Sequence, residues 1–174
     1  MSEEKKVLVT RAKRVAFMNT DDTGSSPKFE RMTGFTTLTT SKNPKEYARQ
    51  YVDEESERTD VTGYAPAIEY SFDRYTGNTV HDKVCKIHDG ELIGTDAQVV
   101  IVVVDLFKKS SAGDKYYATK RTYAVIPDGD GDGYDALVYS GSFKSVSELE
   151  EGYVTFEDET QTVATYTKGD YNKG

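Results

Sequence analysis

The chain has 174 residues, of which 36% are hydrophobic, and a formal net charge of -8. This length suits one core, and 13 Tyr with 7 Phe argue against disorder, because disordered chains lack aromatic residues. An acidic surface repels nucleic-acid phosphates, which excludes binding through a basic footprint. The single Cys85 predicts folding in a reducing compartment. The longest apolar run, Val99–Val104, is too short to span a membrane, and no signal peptide is visible.

The N-terminal third is predicted to contain an arm followed by strands. Val7, Val9, Val15 and Phe17 mark a strand pair or an arm, and residues 19–27 consist of turn-forming types. Residues 29–40 are rich in Thr and aromatics, which favours a strand. No repeat or linker divides the chain. We therefore expect a single domain over residues 1–174, with a flexible arm at about 1–28 and a frayed tail at about 168–174.

The segment after residue 42 is ambiguous between a helix and a strand. Asn43, Pro44 and Glu46 stand where a helix N-cap, a first helical position and a capping-box acid would stand. However, residues 47–53 also alternate as a strand would. Under either interpretation, residues 53–60 form a solvated acidic loop.

The middle of the chain contains the clearest patterns. In residues 64–73, Tyr64, Pro66, Ile68, Tyr70 and Phe72 alternate with small or polar residues, which predicts a half-buried strand. A helix is then predicted from Thr79, which forms a box-like cap with Asp82, to Gly90. Its apolar stripe at helical spacing consists of Val80, Val84 and Ile87.

Most of the remaining chain is predicted to be strand. Residues 97–109 are apolar on both faces apart from Asp105, and a turn at 110–114 joins them to 116–126 as a hairpin. A loop is predicted at 127–133, followed by strands near 134–143 and 152–167. The fold class is therefore mainly β, an antiparallel β-sandwich or barrel with one packed α-helix.

One motif could bind a hard cation. Asp128, Asp130 and Asp132 alternate with glycines, a pattern that can wrap Ca²⁺. The twelfth position, which should supply a bidentate Glu, is Tyr139, and strands rather than helices flank the loop. We therefore interpret the motif as an acidic turn between strands, with a calcium site as the alternative.

Nothing else in the sequence predicts chemistry. His81 and Cys85 form the only ligand-like pair, with His88 one turn further, and no second pair closes a zinc site. We expect the helix to pack Cys85 inward and to rest its histidines at the edge. There is no nucleophile elbow around Ser140 and Ser142, and no phosphate-binding or dinucleotide motif. We expect no enzymatic activity and no cofactor.

Several segments together resemble the major tail tube proteins of bacteriophages. The segments are Met32-Thr-Gly-Phe-Thr-Thr-Leu38, Asn43-Pro-Lys-Glu-Tyr47, Gln50-Tyr-Val-Asp-Glu54, Gly63-Tyr-Ala-Pro-Ala-Ile-Glu-Tyr-Ser-Phe-Asp73, Ile87-His-Asp89, Ile93-Gly-Thr-Asp-Ala97, the long Val strand, and Asp135-Ala-Leu-Val-Tyr-Ser-Gly-Ser-Phe143. The likeness covers roughly residues 30–167 and is spread over many weak motifs.

The resemblance implies a structural virion protein with a tail tube fold. In that family, six subunits form a ring, inner strands of neighbours join into a continuous lumen, and the rings stack into the tube through which DNA is ejected. The implied partners are a tape measure protein, tail terminator and tail tip proteins, and in some tails a sheath protein, with no membrane. The implied location is the phage tail, assembled in the bacterial host cytoplasm.

Physical reasoning adds roles within such a ring. Sheet edges should close the ring, since their unpaired backbone groups are templates for another chain. Residues 64–74 are the candidate lumen strand, in which the carboxylates of Glu69 and Asp73 would repel DNA. The N-terminal arm and the loop 53–63 are the candidate inter-ring contacts. The residues singled out in that loop are Asp53, Glu54, Glu55, Glu57, Arg58 and Asp60.

Two other functions stay open at this point. The first is the inner tube of a contractile bacteriocin or injection system, which would share fold and assembly but dock a sheath. The second is a calcium-dependent β-sandwich binding module built on Asp128, Asp130 and Asp132.

Overall fold

The computed structural model describes residues 5–172, apart from the side chain of Asp132. This part of the chain folds into eleven strands and one α-helix. The elements are β1 (Arg14–Asn19), β2 (Phe29–Arg31), β3 (Phe35–Ser41), β4 (Pro44–Arg49), β5 (Arg58–Tyr64), β6 (Ala67–Asp73), α1 (Thr79–Gly90), β7 (Gln98–Lys109), β8 (Tyr116–Asp132), β9 (Val138–Ser145), β10 (Glu150–Phe156) and β11 (Val163–Lys168). Short 3-10 helices cover Arg11–Lys13 and Gly94–Ala97.

Six strands close into a barrel. They pair in the order β10, β11, β2, β1, β7, β8, and β8 returns to β10, so this part of the sheet has no edge. Each of the six strands contributes to one buried cluster inside the barrel. The cluster consists of Phe17, Phe29, Val102, Val104, Ala118, Val154 and Ala164.

A four-stranded sheet continues from the barrel. The first part of β8 pairs with β7 and β10, whereas its second part pairs with β9, because β8 extends beyond the end of its ladder with β7. From β9 the sheet continues to β6 and then to β3, and every pairing is antiparallel. The predicted fold class, mainly antiparallel β with one packed helix, is confirmed.

The second buried cluster lies between this sheet, α1 and the outer face of β7. Alternate residues of β6, Ile68, Tyr70 and Phe72, face it, as the predicted alternation required. On β7, Val99 and Ile101 join this cluster while Val102 and Val104 point into the barrel. The strand is therefore buried on both faces, which explains its unbroken apolar run.

The helix occupies residues 79–90 as predicted, but its ends differ in detail. Asn78, not Thr79, is the N-cap, and its side-chain oxygen accepts hydrogen bonds from the backbone N–H groups of Val80 and His81. Gly90 is the last helical residue, and Glu91 adopts the left-handed conformation that ends the helix. In the part of the chain that the structure describes, no helix has the length and apolar character to cross a membrane.

The ambiguous segment is a strand, and the helix interpretation is wrong. β4 and β5 form an antiparallel hairpin whose tip covers residues 50–57, so Arg58 and Asp60 lie on β5 and not in a loop. Tyr64 also belongs to β5 and is exposed, and it does not share the buried face of β6. Pairing with β5 holds this segment extended, since the helix-start signals of a few residues are weaker than a ladder of backbone hydrogen bonds.

The expected N-terminal arm is shorter than predicted. Residues 14–19 form β1, which lies between β2 and β7, and its Phe17 and Met18 are completely buried. Only residues 5–13 precede the sheet, all of them exposed, and residues 1–4 lie outside the described residues. At the other end, β11 includes Lys168, and the Tyr171 ring contacts Tyr117. The last two residues of the expected tail, 173 and 174, also lie outside the described residues.

Three other boundaries differ from the prediction. The expected loop at 127–133 is largely the second part of β8, which tolerates its glycines through two bulges opposite β9. The strand predicted at 29–40 is broken at Gly34, where φ is +77° and an added Cβ would lie 2.9 Å from the His81 ring. The last predicted strand is two strands, β10 and β11, joined by a turn.

Candidate assembly surfaces

The face of the four-stranded sheet that points away from α1 is lined by small polar residues. Glu69 lies between Thr39 of β3 and Ser142 of β9, and Ser71 lies between Thr37 and Ser140. The residues of this face belong to neither buried cluster. We call it the hydroxyl face, made of Thr37, Thr39, Ser41, Ala67, Glu69, Ser71, Asp73, Val138, Ser140, Ser142 and Lys144, together with Ala124 and Ile126 of β8.

The structure places both candidate lumen carboxylates on the hydroxyl face. Glu69 is exposed and Asp73 is half-buried. Lys144, which sequence reasoning missed, lies on the same face opposite Ala67 and adds one positive charge. The strand register is the signal that finds it, because only the pairing of β6 with β9 brings Lys144 to this face.

This sheet ends in two edges. β3 pairs only with β6, and β8 pairs only with β9 beyond Ala124. β3 carries no charged residue and no proline, so it lacks the usual protection against another strand. The edge of β8 carries Pro127, Asp128 and Asp130 and two bulges, so fewer strands can pair with it than with β3.

The hairpin of β4 and β5 projects from the rest of the fold. Its strands pack extensively only on each other, and nearly all of their residues are exposed. A free two-stranded hairpin is marginally stable in water. Exposed apolar side chains remain on it, namely Tyr47, Tyr51, Val52, Val61 and Tyr64.

A network of charged and aromatic residues stiffens one face of the hairpin. Arg49 pairs with Asp60 and lies over the rings of Tyr47 and Tyr51, 5.0 and 5.5 Å from their centroids. Arg58 pairs with Glu54 through two hydrogen bonds. Of the predicted inter-ring residues, Glu54, Arg58 and Asp60 therefore already have partners within the hairpin. Asp53, Glu55 and Glu57 are exposed at or beside its tip.

The candidate calcium motif lies on the edge of β8. Asp128 and Asp130 are exposed, and the side chain of Asp132 lies outside what the structure describes. Among the described side chains, no group of three or more His, Cys, Asp or Glu residues could hold a metal ion.

The helix residues that could act as ligands are part of the core. Cys85 is buried as expected, and burial raises the pKa of its thiol to about 11. His81 is completely buried instead of resting at the edge, which corrects the prediction. His88 is half-buried, and its Nε2 is hydrogen-bonded to the Tyr70 hydroxyl at 2.5 Å. Burial lowers the pKa of both imidazoles, so both favour the neutral form.

Comparison with known proteins gives matches in structure alone. No protein-family model matches the chain, and no curated protein does. One similar solved structure is the tail of an empty GTA particle with C6 symmetry, at 12% identity and a TM-score of 0.57 over 82% of this chain and 97% of that chain. Another is the six-fold symmetrised baseplate of the anti-feeding prophage, at 6% identity and a TM-score of 0.51 over 85% of this chain and 97% of that chain.

These matches concern the fold. They show that the chain has the fold of subunits found in symmetric tail and baseplate particles. The resemblance to phage tail proteins predicted from the sequence is confirmed at this level.

Proposed function

We propose that the chain is a structural tail tube protein whose hexameric rings stack into the channel for DNA ejection. The observation that carries the proposal is the four-stranded sheet with two unpaired edges and an uncovered hydroxyl face. The solved structures with the same fold support it, because both belong to particles with six-fold symmetry. The proposed role is structural and not enzymatic.

In this proposal, the edge of β3 in one subunit pairs with the edge of β8 in the next. Along the sheet, β8, β9, β6 and β3 alternate in direction, so β3 runs opposite to β8. Rotation about a ring axis preserves strand direction, and the joint between subunits is therefore antiparallel as well. Such a head-to-tail interface closes into a ring when the rotation closes.

The hydroxyl face then lines the channel. Most side chains of this face are small and polar, with Ile126 and Lys144 as larger exposed exceptions, and the repeated carboxylates of Glu69 and Asp73 repel the phosphates of DNA. Lys144 adds one positive charge per subunit and so reduces the negative potential of this face. DNA would pass without specific binding.

The hairpin tip and residues 5–13 provide the contacts between rings. Both extend from the sheets with exposed side chains, and both include exposed apolar residues, Val52 on the tip and Val7, Leu8 and Val9 on the N-terminal segment. Covering them in an assembly would remove apolar area from water. The further partners we propose are a tape measure protein, tail terminator and tail tip proteins, and the location is the virion tail, assembled in the host cytoplasm.

A second candidate is the inner tube of a contractile injection system or bacteriocin. The fold shared with the anti-feeding prophage baseplate favours it. Such a tube would dock sheath subunits on its outer surface. Copurification with the product of a neighbouring sheath gene would separate the two candidates.

Cysteine cross-linking tests ring closure. Paired strands bring Cα atoms to about 5.5 Å, within the range of a disulfide. We expect a Cys at Thr39 on β3, combined in turn with a Cys at each position from Ile126 to Asp130 on β8, to give an oxidised ladder that ends at six chains. The matched control replaces the β8 cysteine by Ser142→Cys on β9, an inner strand. A ladder that is absent, stops at two chains or forms equally with the control contradicts the proposal.

A further inference from the structure

A basic cleft lies where the space between β3 and the β7–β8 ladder opens to solvent. Alternate residues of β7 share the face that points toward this space. Val99 and Ile101 lie in the second buried cluster, and Val103 and Asp105 lie further along the strand, in the cleft. The cleft has a volume of about 360 Å³. Its polar lining includes Arg14, Thr40, Lys42, Asp105, Lys108 and Arg121.

The charge of this cleft is opposite to that of the protein. Four cationic side chains face a single carboxylate, Asp105, in a chain of net charge -8. Asp105 is already paired, since its Oδ1 accepts a hydrogen bond from Arg14 Nε at 2.7 Å. Lys42 and Arg121 form no ion pair among the described residues. The Nε of Arg121 is buried and lacks a hydrogen-bond partner in the part of the chain that the structure describes.

The charges of Lys42 and Arg121 have no carboxylate partner among the described residues, so the cleft is suited to an anionic group. Its rim also offers apolar surface from Val103 and Leu149. The complementary occupant is therefore a short acidic segment that carries an apolar residue. A planar carboxylate suits a guanidinium especially well, because the pair can form two parallel hydrogen bonds.

The hairpin tip of the same chain has this composition. Between residues 50 and 57 there are four carboxylates, no cation and the fully exposed Val52. Of those carboxylates, only Glu54 is paired within the hairpin, with Arg58. The tip lies away from the cleft of its own subunit. Lys42 lies both in the cleft and beside the base of the hairpin, and the six extended residues of β4, about 20 Å, lead from that base toward the tip.

We propose that the acidic hairpin tip of one subunit docks in the basic cleft of a second copy in the adjacent ring. This inference rests on the proposed function and names the surfaces through which rings stack. The contact is head-to-tail, because each copy uses its tip on one neighbour and offers its cleft to another, so it propagates without closing. Ring closure uses the β3 and β8 edges and is independent of it.

Paired charge changes test the docking. The cleft variant is Lys42→Glu with Lys108→Gln; Lys108 is neutralised because its Nζ lies 3.8 Å from Asp105. The tip variant is Glu55→Lys with Glu57→Gln. Matched controls with equal changes of net charge are Lys86→Glu with Lys168→Gln, and Glu148→Lys with Glu159→Gln. All four control sites are exposed and lie outside the cleft and the tip.

The readouts are electron microscopy and sedimentation of native protein and variants. We expect the native chain and both controls to form tubes, and each test variant to stop at single rings with an unchanged unfolding midpoint. Mixing preformed rings of the two test variants should give pairs of rings, because the native acidic tips of the cleft variant meet the native clefts of the tip variant. The altered tip and the altered cleft are each left without net unpaired charge, so growth beyond two rings is not expected.

Two kinds of failure are distinguishable. Tubes from either test variant alone, or a mixture that stays as single rings, overturn the docking while leaving the ring proposal intact. A native chain that shows no self-association at any concentration contradicts the proposed function itself. Tubes of the native chain should also shorten as salt rises, because the tip and the rim of the cleft are partly exposed to screening ions.

Discussion

His81 Nε2 donates a hydrogen bond to the carbonyl oxygen of Thr33 at 2.7 Å, although 48 positions separate the two residues. The roles are assigned because Nδ1 accepts from the Tyr75 backbone N–H at 3.1 Å, which leaves the proton on Nε2. The imidazole also stacks on Phe72, with 4.4 Å between ring centroids. One neutral side chain thus joins the connection between β2 and β3 to the loop before α1.

This arrangement predicts a loss of stability in acid. Burial lowers the pKa of His81, so the unfolded chain takes up the proton first as pH falls through the ordinary value near 6.5. Stability is fully present above that value and declines below it, by at most about 1.4 kcal/mol per pH unit for one histidine. Urea unfolding of the native chain at pH 7, 6 and 5 should show the decline.

His81→Gln provides the comparison. It should be less stable at pH 7, since the acceptor for Tyr75 is lost, and its free energy of unfolding should depend less on pH. Equal slopes for the two proteins between pH 7 and 5 would remove His81 as the cause.

A second prediction concerns Gly141 on β9. A Cβ at this position would lie 2.5 Å from the Ile126 carbonyl oxygen and 2.7 Å from the Tyr70 hydroxyl. The Gly141→Ala variant should therefore lose about 1–3 kcal/mol of unfolding free energy, because backbone and a buried ring must move. Gly129→Ala is the matched control on the paired strand β8, where an added Cβ meets nothing within 4 Å. We expect that control to stay within about 0.5 kcal/mol of native, and equal losses would contradict the account.

The sequence predicted the elements whose signals are local and mutually consistent. The alternation of Ile68, Tyr70 and Phe72 with smaller or polar residues predicted β6, and the stripe of Val80, Val84 and Ile87 predicted α1. The run from Val99 to Val104 predicted β7, because an unbroken run of β-branched residues is typical of a strand buried on both faces.

Prediction from the sequence failed where pairing with a distant strand overrides the local signals. Asn43 and Pro44 resemble the start of a helix, yet the facing strand β5 holds this segment extended. The glycines at 129 and 131 resemble a loop, yet β9 holds them in a bulged ladder. The hydroxyl face, its Lys144 and the basic cleft depend on register between distant strands, which period-two alternation does not fix.

A third prediction concerns the ion pair of Arg14 and Asp105. Asp105 is 4% exposed and accepts two hydrogen bonds from Arg14, at 2.7 and 3.3 Å. Arg14→Ala leaves this carboxylate with only Lys108 nearby and should cost about 1–3 kcal/mol, a reduced figure because Arg14 is partly exposed. The double variant Arg14→Met with Asp105→Leu should recover most of the loss in thermal unfolding. A double variant less stable than Arg14→Ala would show that the pair is not the source of the effect.

The fourth prediction concerns passage of DNA past the hydroxyl face. Tubes assembled from a Glu69→Lys and Asp73→Lys variant should retain double-stranded DNA that native tubes release. Each phosphate that an introduced lysine neutralises should steepen the dependence of log affinity on log salt by about 0.9. Glu148→Lys with Glu159→Lys, outside this face, is the matched control. Equal DNA retention by all three proteins would mean that this face does not line the channel.

The most direct test of the central claim is negative-stain electron microscopy of the purified chain at rising concentration, with sizing chromatography alongside. The account predicts rings with six-fold symmetry that give way to hollow tubes of uniform diameter, and an elution volume that shifts from monomer to ring. A chain that elutes as a monomer and shows no ring or tube at any concentration would contradict it.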